Sequence, residues 1–401
     1  GYDGNNKNIN LDTIDGYPVV SVAKRTFYEN GNIENVYISK NVENIGLEAF
    51  EGCRSLKKVD IEKESSIKTI PYLCFSGCDL SEGITLPEGL EEIAAYAFNG
   101  CGFSEIDLPK DNCNLQDGVF SGCRNLKEIT IPENNKEIGR CLFYGCESLQ
   151  SIIMPEKVTK IEEGAFGECE KLEKINVPDY LDELGRDAFK NCKKLLVEQG
   201  GLCYIKNYLV GYEETQKQLD YVVKEGTTQL ATEIFKDCTS AKSITLPEGT
   251  IKAIPEYAFT STNLTRLTIP NSVEKIGYLA FANMTKLDTL SIPTMSREYT
   301  DTSFNLEWFF GIGGVNGWKI PKTLKNVIIT GSSETIQCDL GEYVESLVFT
   351  GSPENIEILG NNIKELNLPE RIKSIDISIS NMECSDTLTL PDGLEEVKGI
   401  H

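Results

Sequence analysis

The chain has a single histidine in 401 residues, His401, at its very end. Ser-His-Asp and Cys-His arrangements need an imidazole beside the nucleophile, so neither can be built within the body of the chain. His-Glu-x-x-His is excluded for the same reason, and neither a Gly-x-x-x-x-Gly-Lys-Ser/Thr phosphate loop nor an Asp-x-Asp-x-Asp-Gly calcium loop occurs. No apolar run approaches the roughly 20 residues of a membrane-spanning helix, so no insertion into a membrane is expected. Basic residues are the minority, 39 against 62 acidic ones, for a net charge of −23. That imbalance favours solubility and works against nucleic acid or an anionic membrane as partner. Among so many acids some carboxylates must be neighbours, so carboxylate pairs carry no specific glycosidase signal and read as solvated surface. No catalytic residue, cofactor or metal site is assigned, and the chain is not expected to be an enzyme.

What the chain does have is a phenylalanine clock. Phe27, Phe50, Phe75, Phe98, Phe120, Phe143, Phe166, Phe189, Phe235, Phe259 and Phe281 recur every 23 residues, give or take two. Tyr212 stands at the midpoint of the one double step, and Phe304 falls on the next beat. A period in this range signals stacked repeats, each burying its apolar face only against its neighbours. Around each Phe the unit reads Val-x-x-Ile-x-x-x-Ala-Phe-x-Gly-Cys-x-x-Leu-x-x-Ile-x-Ile-Pro. A clean copy is Val158, Ile161, Ala165, Phe166, Cys169, Leu172, Ile175, Val177 and Pro178. The Ile-x-Ile step alternates as a strand does, and the Pro ends it because it has no N–H to donate. Ala-Phe-x-Gly-Cys is too short for a helix. It reads as one tight turn on the opposite edge, with Phe inward and Gly in a left-handed conformation.

This unit resembles the BspA-like leucine-rich repeats, with their Ile-Gly-x-x-Ala-Phe-x-Gly-Cys-x-x-Leu-x-x-Ile-x-Ile-Pro signature. Ile14-Asp15-Gly16-Tyr17-Pro18-Val19 is similar to the opening rung of that group. The resemblance covers residues 9–293 strongly and the rest loosely. It implies a right-handed leucine-rich-repeat solenoid, with a parallel β-sheet on one face and short turns or single helical turns on the other. It also implies an extracellular or cell-surface protein of the kind found in host-associated anaerobic bacteria and some protozoan parasites, some members being adhesins. The abrupt opening at Gly1-Tyr2-Asp3-Gly4 then reads as a mature or engineered start after a removed export signal.

Eight of the 14 cysteines share one repeat position: Cys53, Cys78, Cys101, Cys123, Cys146, Cys169, Cys192 and Cys238. Later rungs place Thr262 and Met284 there. A slot that accepts Cys, Thr or Met is a packing slot, so a reduced, buried ladder is expected rather than disulfides. The nearest approach to paired zinc ligands, Cys74-x-x-x-Cys78, has no second pair.

The clock defines four stretches: a cap and first rung at 1–26, repeats at 27–293, an aromatic and glycine-rich irregular segment at 294–318, and shorter repeats at 319–401. Within the repeats, 196–226 reads as a hairpin insertion turning at Lys206-Asn207. Its tyrosines, Tyr204 and Tyr208 among them, either pack on the convex side or project as contacts. The segment 294–318 holds both tryptophans, Trp308 and Trp318, and reads as a seal between solenoid parts or as an aromatic platform. Beyond it, strands at Val327, Leu347, Leu366 and Leu388 lose the Ala-Phe-x-Gly-Cys turn, so slimmer turns are expected. The outward sheet positions are polar, Arg266 being the one anchor-type side chain among them. Trp308, Trp318, Tyr204, Tyr208 and Arg266 are therefore the candidate binding residues. Three functions remain open: a monomeric adhesion module for a host or neighbouring-cell protein or matrix component, a stalk of a longer surface protein, and a polysaccharide-binding protein using the aromatic segment.

Overall fold

The computed structural model describes residues 4, 6–213, 219–293, 304–311, 319–331, 335–360, 363–379 and 390–399. They group into two compact units, Gly1–Leu196 and Val197–His401. The division falls at the start of the hairpin, inside the 27–293 run. Each unit is built as a parallel β-solenoid.

In Gly1–Leu196 the Ile-x-Ile segments form the main sheet. Asn35–Ile38 pairs in parallel with Asn8–Leu11 on one side and Lys58–Ile61 on the other, and Gly83–Thr85 follows. Farther along, Ser151–Ile153 lies between Glu128–Thr130 and Lys174–Ile175. Register sets like upon like: Val36 faces Val59, and Ile129 faces Ile152. All four are buried, because a one-residue slip would turn the whole apolar set outward. Where the ladder breaks, side-chain amides patch it. Asn135 accepts from the Leu115 N–H at 2.9 Å and donates to the Cys113 carbonyl at 2.8 Å. Asn176 does the same for both backbone groups of Met154.

A second, two-residue ladder runs through the Val-x-x-Ile step, which the repeat pattern did not announce. Glu92–Ile93 pairs with Thr69–Ile70 and Asn114–Leu115, and Lys160–Ile161 pairs with Glu137–Ile138 and Glu183–Leu184. The following residue explains the closeness of the rungs. The Gly46 N–H donates to the Val22 carbonyl at 2.7 Å, and a Cβ on Gly46 would lie 2.3 Å from the Lys24 nitrogen.

The Ala-Phe-x-Gly-Cys segments are tight turns, closed by bonds such as Cys53 N–H to the Phe50 carbonyl at 3.1 Å. They are also tied rung to rung, as in Phe27 N–H to the Ala49 carbonyl at 2.8 Å. The expected left-handed residue is there, Gly122 at φ 71°. A second one, two residues before Phe, is glycine in only some rungs, such as Gly118: Leu73 has φ 54° there and Tyr96 φ 58°. Non-glycine residues resist that conformation, and the repeated backbone bonds on both sides hold them in it. Inside, the rings stack from Phe27–Phe50 at 4.9 Å to Phe166–Phe189 at 5.1 Å between centroids. The ladder cysteines are buried and free of disulfides.

The unit Val197–His401 opens with an antiparallel hairpin. Leu202–Ile205 pairs with Tyr208–Tyr212 across Lys206-Asn207, and with Val197–Gln199 on its other side. The ring ladder resumes through Tyr212–Phe235, Phe235–Phe259 and Phe259–Phe281, at 6.0, 5.7 and 6.2 Å. From Phe281 the rings pass to Phe309 and Phe310, at 5.7 and 5.8 Å. The Phe281 N–H bonds to the Phe309 carbonyl at 2.9 Å, the bond that Ala accepts in other rungs. Phe309-Phe310 thus take the Ala-Phe places, on the helical turn Leu306–Phe310, and Phe310 lies 5.8 Å from Phe281. The longer segment before them delays the beat, leaving Phe304 in the strand Phe304–Asn305 beside Cys338–Asp339. The described part of 294–318 thus holds a short strand and a helical turn in a modified rung.

The last rungs also differ from expectation. Where slimmer turns were predicted, strands of five and six residues stand: Thr335–Asp339, Asn355–Gly360 and Ser374–Ile379, paired in parallel. Alternating Ile356, Ile358, Ile375 and Ile377 are buried. Without a Gly-Cys turn to bend it, this pattern stays extended. A second five-stranded sheet of this unit runs from Arg266–Thr268 to Glu365–Asn367, and its members include Val327, Leu347 and Leu366. Leu388 lies outside the described residues.

Candidate functional site

The structure sorts the five candidate binding residues. Tyr204 and Tyr208 are 1 % and 2 % exposed. Lys224 contacts Tyr204 twice: its N–H donates to the phenol oxygen at 3.1 Å and its ammonium sits 4.5 Å from the ring centroid. The hairpin thus keeps these two rings as packing and does not present them as contacts. Arg266 is exposed at the start of the strand Arg266–Thr268, in register with Thr289. Trp318 lies outside the described residues. Trp308 is half-buried on the helical turn Leu306–Phe310.

Trp308 does not stand alone. Its ring lies 5.0 Å from that of Tyr278, tilted by 57°, and Tyr278 meets Tyr257 edge-on at 6.4 Å. The Lys236 ammonium lies 5.5 Å over the Tyr257 ring and 2.9 Å from Glu233. All three rings are half-buried. They follow one another on the turn edge because each sits just before an Ala-Phe pair or its replacement. That column, Tyr257, Tyr278 and Trp308, was readable as aromatic residues preceding Ala258, Leu279-Ala280 and Phe309-Phe310. The repeat reading passed over it by attending only to the inward Phe.

The sheet face is mostly polar by contrast, with Tyr37, Ile153 and Val222 as exposed exceptions. Glu128, Thr130, Lys174 and Asn176 are exposed, as are Thr245, Arg266 and Thr268. Charges on the turn edge pair from rung to rung: Arg140 lies 3.0 Å from Glu163, which also meets Arg186. Lys160 sits between Glu162 and Glu183, and its ammonium is held above the usual lysine range, first by its bond to Glu162. Such exposed pairs contribute at most about 1 kcal/mol each. Among the described residues no group of three or more His, Cys, Asp or Glu is placed to hold a metal ion.

Burial raises most of the ladder thiols; Cys53 is the exception, lowered first by its hydrogen bond with Cys78. Cys123 and Cys192 are pushed up to about 12 by loss of water around the thiolate, and Cys101 and Cys146 are raised well above the ordinary thiol value for the same reason. Such thiols are poor nucleophiles, so the ladder is a packing feature rather than a reactive site.

Solved structures similar to this chain are leucine-rich repeat proteins. One from Bacteroides ovatus is 21 % identical over 98 % of this chain and 82 % of its own, with a TM-score of 0.46. A leucine rich cell surface protein from Faecalibacterium prausnitzii is 22 % identical over 82 % of this chain and 89 % of its own, with a TM-score of 0.38. A leucine-rich repeat protein of T. pallidum is 29 % identical over 48 % of this chain and 78 % of its own, with a TM-score of 0.36. No curated protein matches the chain. The BspA type leucine rich repeat region matches in six copies, across residues 20–83, 68–196 and 211–328. With its Phe ladder, Gly-Cys turns and parallel Ile-x-Ile sheets, the chain belongs to the BspA type leucine-rich repeat family.

Proposed function

We propose that the chain is a non-catalytic binding protein of the cell surface or extracellular space, acting as a monomer on a host or neighbouring-cell protein or matrix component. The observation that carries this reading is the half-exposed aromatic column Tyr257, Tyr278 and Trp308 beside Lys236. Interfaces centre on aromatic and Arg side chains that desolvate cleanly, and polar surroundings supply area more than energy. Membership of a repeat family whose solved relatives include a cell surface protein supports the location. Among the described residues no helix is long and apolar enough to cross a membrane.

The test is a binding screen of the purified chain against immobilised host matrix proteins, repeated with Trp308→Ala and with charge reversal at Lys174 or Glu128. The aromatic change should weaken binding at least tenfold and the charge changes less than threefold. Binding that survives Trp308→Ala and vanishes on charge reversal moves the contact to the sheet face.

A further inference from the structure

On the sheet face of the unit Gly1–Leu196, the first three rungs differ from all later ones. Strand register places Asn8, Asn35 and Lys58 in one outward column, and Asn10, Tyr37 and Asp60 in the next. Together they line a shallow depression of about 200 Å³. The fourth rung leaves its end open, since Gly83 follows Lys58 in register.

Three features make this depression a built surface. First, Tyr37 is clamped. Its hydroxyl donates to the Glu62 carboxylate, which also accepts the Lys40 N–H at 2.8 Å. The phenol is pushed up to about 12 chiefly by that bond, so the ring is fixed while 36 % of the residue stays exposed. Second, the amides are oriented and only partly used. Asn35 donates to Asn8 at 2.7 Å, and Asn10 accepts the Asp12 N–H at 3.0 Å. An amide carries two donors and an acceptor with two lone pairs. The Nδ2 groups of Asn8 and Asn10 and the Oδ1 of Asn35 therefore have capacity to spare. Third, the charges cancel. Lys58 and Asp60 form an ion pair at 2.8 Å, and Thr85 donates to Asp60 at 3.2 Å.

A fixed aromatic face, oriented amides and a lining whose own two charges cancel suit a ligand that is apolar on one side, rich in hydroxyls around its rim, and uncharged. A pyranose ring has that chemistry: axial C–H groups lie on the aromatic face while equatorial hydroxyls bond the amides. An anion would meet Asp60 and a strongly acidic chain; an apolar side chain would find no pocket. We propose that the Asn8, Asn10, Asn35, Tyr37, Lys58 and Asp60 depression binds one sugar unit of a neutral polysaccharide. The site is separate from the Trp308 column, so neither proposal depends on the other. Being open and shallow, it binds a single unit only at about millimolar strength, and repeated units along a polymer raise retention.

The experiment is affinity electrophoresis of the whole chain through gels holding, in turn, a neutral β-glucan, a mannan and an N-acetylglucosamine polymer. Saturation-transfer NMR with the matching methyl glycosides accompanies it. At least one polymer should retard the chain, equally in roughly 0.05 and 0.5 M salt, because no charge is matched. Tyr37→Ala and Asn35→Ala should each reduce retardation at least fivefold, whereas Trp308→Ala should leave it unchanged. If Tyr37→Ala does not fold, as judged by its melting curve, Asn8→Ala with Asn35→Ala reads the same site. Retardation by none of the three, retardation by a charged polymer that salt abolishes, or loss on Trp308→Ala with retention in the Tyr37 and Asn35 variants, overturns the proposal.

Discussion

The thiol of Cys169 donates to the carbonyl oxygen of Phe143, one rung earlier, at 3.1 Å. The same bond recurs from Cys53 to Phe27 and from Cys192 to Phe166. The cysteine slot is therefore more than a small apolar hole. The long C–S bond carries a weak donor to a carbonyl that already accepts a backbone N–H from its own turn. In the equivalent slot the shorter Thr262 hydroxyl is buried with no hydrogen-bond partner.

Replacing Cys169 by Ser should consequently destabilise more than replacing it by Ala, although Ser is the closer shape. A buried hydroxyl that cannot reach its acceptor costs about 1–3 kcal/mol. Urea unfolding of the two variants checks this; a Ser variant more stable than the Ala variant would show that the hydroxyl does reach Phe143.

The same burial predicts an alkaline limit to stability. Cys123 and Cys192 keep their protons up to about 12 in the folded chain, whereas an unfolded thiol ionises near 8.5. Between those values the folded state binds more protons, so stability falls as pH rises. Each such thiol removes up to about 1.4 kcal/mol per pH unit. Chemical denaturation under reducing conditions should show constant thiol-linked stability below pH ~8 and a fall above pH ~9. Cys123→Ala with Cys192→Ala should make that fall shallower; an unchanged slope would refute the assignment.

Thiol titration gives an independent reading. Among the described residues, the native chain should react slowly and mainly at Cys141, which is half-buried while the ladder cysteines are fully buried. After denaturation in reductant-free buffer all 14 should react. Thiols still missing after denaturation would mean disulfides.

Phe166 is stacked on both sides, 5.6 Å from Phe143 and 5.1 Å from Phe189. Phe166→Ala should cost about 3–5 kcal/mol. Urea unfolding is the measurement, and a negligible loss would mean that the ring does not carry the stack.

Gly277→Ala tests the second ladder. Its Cβ would lie 2.4 Å from the Glu256 backbone nitrogen, so rung spacing must open, at about 1–3 kcal/mol. Gly31 has nothing within 4 Å of the same position, and Gly31→Ala should be neutral or slightly stabilising. The difference in melting temperature between the variants is the measurement.

The periodic part of this protein was legible from the chain alone. Phe, Cys and Ile-x-Ile recur at a fixed step, and in a stack each residue's neighbour is the same residue one period away. Burial, strand direction and the packing role of cysteine follow from that local repetition. Of what broke the period, the hairpin at Lys206-Asn207 was legible, and the fate of the side chains was not. Tyr204 and Tyr208 looked as able to project as to pack, and the fold buries both, Tyr204 against Lys224. Phe304 kept the count, yet Phe310 took the ring position, because the backbone bond from Phe281 selects whichever segment reaches it. The Trp308 column and the clamped Tyr37 each depend on side chains from different rungs meeting at one place. Such meetings are set by register and turn geometry, quantities that belong to pairs of distant residues and that no single stretch of sequence carries.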